Sequence, residues 1–211
     1  MSNSKARITR GEHSSERLLL DELSHRVNNQ LSAAIGLVSV AVVRTRSDDV
    51  VDHLLRIKCQ LENFARVQQL LQVPHFRTRV DGLAYLRQLC PALHGLHLES
   101  RAVELVLREH ALSIDSEECW TLGLILAELV TNASKHAFRE RPGRVLIDVV
   151  RSDSLVRCRV EDNGLCAAPP RGAHGLQIID ALTRKLGGIF QQDFAPHGCT
   201  STLWFPKAER Q

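Results

Sequence analysis

At 211 residues the chain has room for one ordinary domain or two small ones. An apolar fraction of 44% with 24% charged residues excludes wholesale disorder and collagen-like repeats. A net charge of only +3, with 4% aromatics, speaks against a nucleic-acid binder that works by electrostatics or by stacking bases.

The six cysteines (Cys59, Cys90, Cys119, Cys158, Cys166, Cys199) lie far apart with no C-x-x-C pair, which removes finger-type metal clusters. Four of them, Cys59, Cys90, Cys119 and Cys158, sit in apolar or helical patterns and read as small buried hydrophobes. The first 15 residues are polar and mildly basic, without the apolar core of a secretory signal. The most apolar stretch, 33–43, is too short for a bilayer and contains Gly36 and Ser39. A reduced, cytoplasmic protein without a membrane segment is the expectation.

Residues 15–46 lack proline, and Leu20, Leu23, Val27, Leu31, Ala34, Val38 and Ala41 recur at helical spacing, predicting one long amphipathic helix. Asp48-Asp49 read as the start of a second, with Leu54, Ile57, Leu61, Phe64 and Leu71 at alternating spacings of three and four once Gln68 fills the remaining seam position, stopping before Pro74. Such a hairpin has too little core alone, and a second copy would bury both seams in a four-helix bundle.

After Pro74 the pattern changes. Asp81 reads as the cap of a helix running to about 89 and ended by Pro91. Short strands are expected at 102–108 and 111–114, then a strongly apolar helix from Asp115 to about 138. Alternating strands follow at 144–150 and 154–160, with Ser152-Asp153 as the turn between them. A loop, 162–172, with Pro169-Pro170 leads to a helix at about 175–186, ended by Gly187-Gly188. Strands at 189–194 and 200–205 close the chain, and strands with helices on one side predict an α+β sandwich.

Three sets of residues carry chemistry. On the first helix, His25 shares a polar sector with Asp21, Glu22, Asn28, Asn29 and Ser32. A neutral imidazole there can attack a phosphoryl group if Glu22 or Asp21, one turn earlier, fixes its tautomer. On the helix alone, a solvated surface histidine accounts for the pattern as well. On the apolar helix, Glu128, Asn132, Lys135 and His136 form one polar stripe. Its oxygen ligands suit magnesium and its lysine suits phosphate, although a surface hydrogen-bond ladder would use the same residues. In the loop, Asp162-Asn163-Gly164 follows a strand, and Gly172 and Gly175 flank a helix start. The carboxylate can accept from an exocyclic amine, and the glycines let backbone N–H groups approach phosphate. A plain turn would also read Asp-Asn-Gly.

The order and spacing of these sets resemble the catalytic core of bacterial two-component sensor histidine kinases, in the branch with an H-R-x-x-N phosphoacceptor box related to the HWE group. The box is Ser24-His25-Arg26-Val27-Asn28-Asn29-Gln30-Leu31. The second half is similar to the Bergerat, or GHKL, ATP-binding fold. Glu128-Leu129-Val130-Thr131-Asn132-Ala133-Ser134-Lys135-His136-Ala137-Phe138 stands as its N box and Val160-Glu161-Asp162-Asn163-Gly164 as its G1 box. Gly172-Ala173-His174-Gly175-Leu176 resembles the G2 box, and Gly198 to Pro206 the closing strand.

The resemblance implies a tail at 1–13, a dimerising phosphoacceptor hairpin at 14–74 and an ATP-binding catalytic domain at 75–211. It implies a protein-histidine kinase that uses ATP and magnesium to phosphorylate His25, then passes the phosphoryl group to an aspartate of a response-regulator receiver protein. In that scheme Asn132 takes the metal and Asp162 the adenine, while Glu128 holds a metal-bound water or orients the histidine. Lys135 and the Gly172 and Gly175 backbone lie near the phosphates, with His136, Gly164, Leu176 and Thr200 completing the nucleotide site. The two domains occupy nearly everything after residue 14, so the input is expected from a sensory partner protein, a small ligand or the short tail.

Three positions and one segment depart from the family pattern: Asn28 stands for a lysine, Cys166 for the second G1 glycine, Cys199 for a threonine, and the lid is short and carries Pro169-Pro170. They leave a second reading, a non-catalytic phosphorelay protein with a decayed ATP domain, although a relay needs neither Asn132 nor Asp162. A serine kinase of the anti-sigma type shares the ATP fold but lacks the long hairpin.

Overall fold

A computed structural model describes residues 3–74, 76–138, 141–165 and 174–207, with residues 3–18, 20 and 174 described by backbone alone. The chain forms two compact units, Met1–Val73 and Pro74–Gln211.

The first unit is a hairpin of α1 (Asn3–Arg44) and α2 (Asp48–Leu70). α1 starts at Asn3 rather than near 15, taking in most of the stretch expected as a tail, because no proline interrupts it. Asp48 and Asp49 in the first turn of α2 complement its dipole.

The expected single apolar stripe on α1 divides into two seams. Leu31, Ala34, Val38 and Ala41 are half-buried, whereas Leu23 is 57% exposed and Val27 39% exposed. Leu37, Val40 and Val43 extend this second, uncovered apolar face, and α2 adds Val50, Ile57 and Phe64, spaced seven apart. Stripe positions at mixed three- and four-residue steps drift around the helix, so one partner helix cannot cover them all.

The second unit opens with β1 (Arg79–Asp81) and α3 (Gly82–His97). Asp81 caps α3 as expected, its carboxylate accepting from the Ala84 N–H. Pro91 does not end this helix; it lies inside it. A mid-helix proline costs about 3 kcal/mol, but the turns beyond it bury Ala92, Leu93 and Leu98 to 1% exposure or less. Each leucine is worth roughly 1.5–3 kcal/mol there, enough to carry the helix through.

A 3₁₀ turn (Glu99–Arg101) leads into β2 (Val103–Arg108), followed by β3 (Ser113–Asp115) and α4 (Ser116–His136). β3 pairs with β1, a three-residue strand with no alternation long enough to be legible in the sequence. α4 begins with a full capping box: Asp115 at the cap and Glu118 reaching back to its backbone.

β4 (Gly143–Arg151) and β5 (Leu155–Asp162) form the expected hairpin; α5 (His174–Lys185), β6 (Ile189–Ala195) and β7 (Gly198–Pro206) complete the unit. The main sheet runs β2-β4-β5-β7-β6, parallel only between β2 and β4. Val145, Ile147, Val149, Val156, Cys158 and Val160 point to one face, buried with Leu122, Ile125 and Leu126 of α4. Arg157, Arg159 and Thr200 take the alternate positions. This is the expected α+β sandwich, with burial pushing the Cys90 and Cys119 thiols up to about 12.

The starts and ends of the helices are tied together. Ser116 Oγ donates to the Phe76 carbonyl (2.8 Å) and accepts from the Thr78 N–H (3.1 Å). Glu117 pairs with Arg77 (2.7 Å) and with Lys185 at the end of α5 (3.0 Å), while the Lys185 ammonium sits 4.6 Å from the Trp120 ring centre. These contacts hold α5 alongside α4.

The capping box makes one strong stability prediction. Asp115→Ala should lower the unfolding free energy by about 1 kcal/mol, read as a lower urea midpoint at unchanged slope.

Candidate functional site

The second unit contains a pocket whose walls include Asn132, His136, Asp162 and Leu176, four of the residues singled out from sequence. α4 contributes Leu129, Asn132, Ala133 and His136, positions three and four apart that share one helix face.

Asp162 is the last residue of β5, and strand alternation turns it to the core face with Cys158 and Val160. Its Oδ1 accepts from the Gly164 N–H (3.0 Å) and the Cys199 N–H (3.3 Å). Among the described residues, no donor occupies Oδ2. Burial pushes the Asp162 carboxyl above the usual carboxylate range, and the two N–H bonds only partly offset it.

Three glycines allow the chain to close around this carboxylate. A Cβ on Gly164 would lie 2.4 Å from the Ala137 Cβ, and the Leu165 N–H donates to the Ala137 carbonyl (2.8 Å), so this loop lies flat on the end of α4. Gly198, at φ +145°, would place a Cβ 1.9 Å from the Asp162 carbonyl oxygen. A Cβ on Gly175, in the first turn of α5, would come 2.9 Å from Glu128 Oε2 and 3.5 Å from the Asn132 amide. The start of α5 therefore lies against the Glu128–Asn132 pair. Asn163 fastens the loop from its other side, its Oδ1 accepting from the Arg144 N–H (2.7 Å).

Other expected site residues fall elsewhere. Lys135 is exposed and is not a wall of the pocket; its charge, after burial, is the second cause of the lowered His97 pKa. Thr200 is corrected: Cys199 and Ser201 line the pocket, and the two-residue period of β7 sends Thr200 to the opposite face of the sheet. Gly172, Cys166 and Pro169-Pro170 lie outside the described residues. Gln192, Phe194 and Ser201 are walls that sequence reading missed. Their only signal was alternation along β6 and β7, which does not say which face meets a ligand.

In the first unit, His25 is exposed on α1. Glu22 does not serve it as the sequence suggested: its carboxylate binds the Arg26 guanidinium at 2.8 Å. A fully charged partner one turn along outcompetes a neutral imidazole for the same oxygen. Asn28 turns inward, with its Oδ1 buried and unpaired.

Two family models match the chain. Residues 22–97 match the family described as "Histidine kinase" and residues 97–189 the "Histidine kinase-like ATPase domain". Together they span most of the chain, which belongs to the histidine kinases. Blue-light-activated histidine kinase 2 of Erythrobacter litoralis is 26% identical over 80% of this chain and 51% of its own. Sensor histidine kinase PdtaS of Mycolicibacterium smegmatis is 26% identical over 86% and 38%. The chain thus spans about half the length, or less, of these curated relatives. Among solved structures, the histidine kinase domain of a blue-light activated histidine kinase from Erythrobacter litoralis aligns with a TM-score of 0.59 at 23% identity. That alignment covers 92% of this chain and 96% of that one. ShkA, solved with AMPPNP, gives 0.53 at 21% identity over 91% and 46%, and both likenesses speak for the fold. No helix among the described residues is long and apolar enough to cross a membrane.

The raised carboxyl at Asp162 predicts a stability change. A group whose folded pKa lies above its unfolded value loses stability as pH rises through the folded pKa. Asp162→Asn keeps an acceptor for both N–H groups, so without ligand it should match or exceed wild-type stability at pH 7. The gap should close as pH falls below the carboxylate range, as urea midpoints across pH would show.

Proposed function

We propose that this chain is the catalytic core of an ATP-dependent protein-histidine kinase in a two-component system. In this reading, residues 14–74 are the dimerisation and phosphoacceptor domain and residues 75–211 the ATP-binding domain, with the stretch 1–13 ahead of them. The observation that carries it is the half-buried Asp162 carboxylate, one oxygen held by two backbone N–H groups and the other left to a ligand, in a pocket walled by Asn132 and His136. Such an acceptor suits the exocyclic amine of adenine.

Magnesium fits the residues present. Glu128 and Asn132 offer a carboxylate and an amide oxygen side by side at the start of α5. Among the described residues no cluster of three or more His, Cys, Asp and Glu could hold a metal unaided. Magnesium commonly takes one or two protein oxygens and completes its shell with phosphate and water. Bound there, it would neutralise charge on the β- and γ-phosphates. Asn132 would hold it, and Glu128 would orient a bound water. The N–H groups of the first turn of α5, reached closely because Gly175 has no side chain, would face phosphate oxygens, with Lys135 adding charge nearby.

The transfer forms a bond between the γ-phosphorus and a His25 ring nitrogen and breaks the bond from that phosphorus to the β–γ bridging oxygen, releasing ADP. The exposed His25 then donates the phosphoryl group to a receiver aspartate. A sensory partner protein supplies the input. The uncovered apolar face of the hairpin supports a homodimer, because a second copy would bury Val27, Leu37, Ile57 and Phe64. A relay protein alone would have no use for the Asp162 pocket.

Incubation with labelled ATP and magnesium tests the kinase. Acid-labile, base-stable label should appear on wild type and be absent from His25→Gln; Asn132→Ala should lower its rate at least a hundredfold. No label on wild type, together with acceptance of phosphate from a phosphorylated receiver, would establish the relay instead. For the dimer, Ile57→Lys combined with Val27→Lys should give a monomer in sedimentation equilibrium; an unchanged mass would contradict the bundle.

A further inference from the structure

The pocket holds a polar pair, one member buried and the other half-buried, for which the kinase reading has no role. Gln192 on β6 and Ser201 on β7 are register partners on the core face of the sheet, and both line the pocket. Gln192 Nε2 donates to Ser201 Oγ at 2.9 Å, and Ser201 is only 4% exposed. The neighbouring walls are apolar: Leu129, Val160, Leu176 and Phe194. Polar side chains buried in such a wall are costly unless their hydrogen bonds are completed.

The bond from Gln192 takes one of the two acceptor lone pairs of Ser201 and leaves its O–H to donate elsewhere. Among the described residues the one other contact of this oxygen is Cys199 Sγ at 4.0 Å, a weak partner at the limit of reach. Asp162 pairs in register with Cys199 and Val160 with Ser201, so Asp162 and Ser201 are diagonal neighbours on one face. The pocket thus presents an acceptor, Asp162 Oδ2, close to a donor, Ser201 O–H.

That order matches one purine edge. Adenine carries a donor, the N6 amine, beside an acceptor, N1. Guanine carries the reverse, the O6 acceptor beside the N1–H donor. We infer that Ser201, held by Gln192, is a specificity-determining residue that donates to adenine N1 while Asp162 accepts from N6. This rests on the nucleotide-binding reading above and adds to it a group that favours adenine over guanine: an O6 facing a carboxylate is mismatched, and an N1–H leaves the hydroxyl's own proton without the acceptor that adenine N1 offers.

Titration calorimetry on the full chain with magnesium tests the assignment, using ADP, 1-deaza-ADP, which has a C–H in place of N1, and GDP. Wild type should bind ADP about three- to tenfold more tightly than 1-deaza-ADP, the worth of one hydrogen bond, and bind GDP more weakly still. In Ser201→Ala the two adenine ligands should bind alike. In Gln192→Leu, where the serine loses its anchor, the difference should shrink. Equal binding of ADP and 1-deaza-ADP by wild type overturns the assignment, and so does a penalty unchanged in both variants. Either result leaves nucleotide binding intact if ADP binds. Absence of ADP binding to wild type would refute the nucleotide reading itself, and the assignment with it.

Discussion

The second unit is organised around one carboxylate oxygen. Asp162 Oδ1 accepts N–H bonds from the loop that follows β5 and from the start of β7, so the two segments meet at a single atom. The meeting is possible because Gly164 lies flat on Ala137 at the end of α4 and Gly198 lies against the Asp162 carbonyl. Any side chain at either position would push one partner away. The ends of two central strands, the end of α4 and the pocket wall are therefore set by the same junction.

Burying an acidic group there opposes folding, since desolvation disfavours its charged form. The cost makes sense if the second oxygen is kept for a ligand: a buried acceptor discriminates strongly between partners that can and cannot donate to it. Nearby groups share this character. Glu128 and Asn132 crowd against the start of α5, where only glycine fits, and Ser201 and Gln192 satisfy each other only in part. The hairpin shows the opposite economy. Asn28 is turned inward with an unpaired oxygen, while Leu23, Val27, Leu37, Ile57 and Phe64 face out. Such a surface is unfavourable in an isolated hairpin and favourable where a second apolar face covers it.

Much of the fold was legible because local rules and burial agreed. Asp81 and Asp115 cap helices where the sequence put them, and the β4–β5 hairpin follows from unbroken alternation. Disagreement arose where a tertiary contact outweighed a local rule. Pro91 is a helix breaker by local chemistry, yet Leu93 and Leu98 are fully buried and carry α3 past it. β1 has three residues and exists because β3 pairs with it. Glu22 was a plausible partner for His25, three residues on, but Arg26, four residues on, is charged and takes it.

The sequence alone determined the chemical inventory and its order: a histidine on a long helix, a Glu–Asn–Lys–His stripe, and an aspartate and glycines at strand and helix ends. Periodicity and spacing carry that information because they depend on backbone geometry that is the same in every protein. The tertiary structure decided which of these groups share a pocket. It turned Ser201 rather than Thr200 inward, left Lys135 outside the wall, and brought Gln192 from a separate strand. Those outcomes depend on which sheet face the helices cover and on contacts between residues far apart in the chain, and no local pattern encodes either.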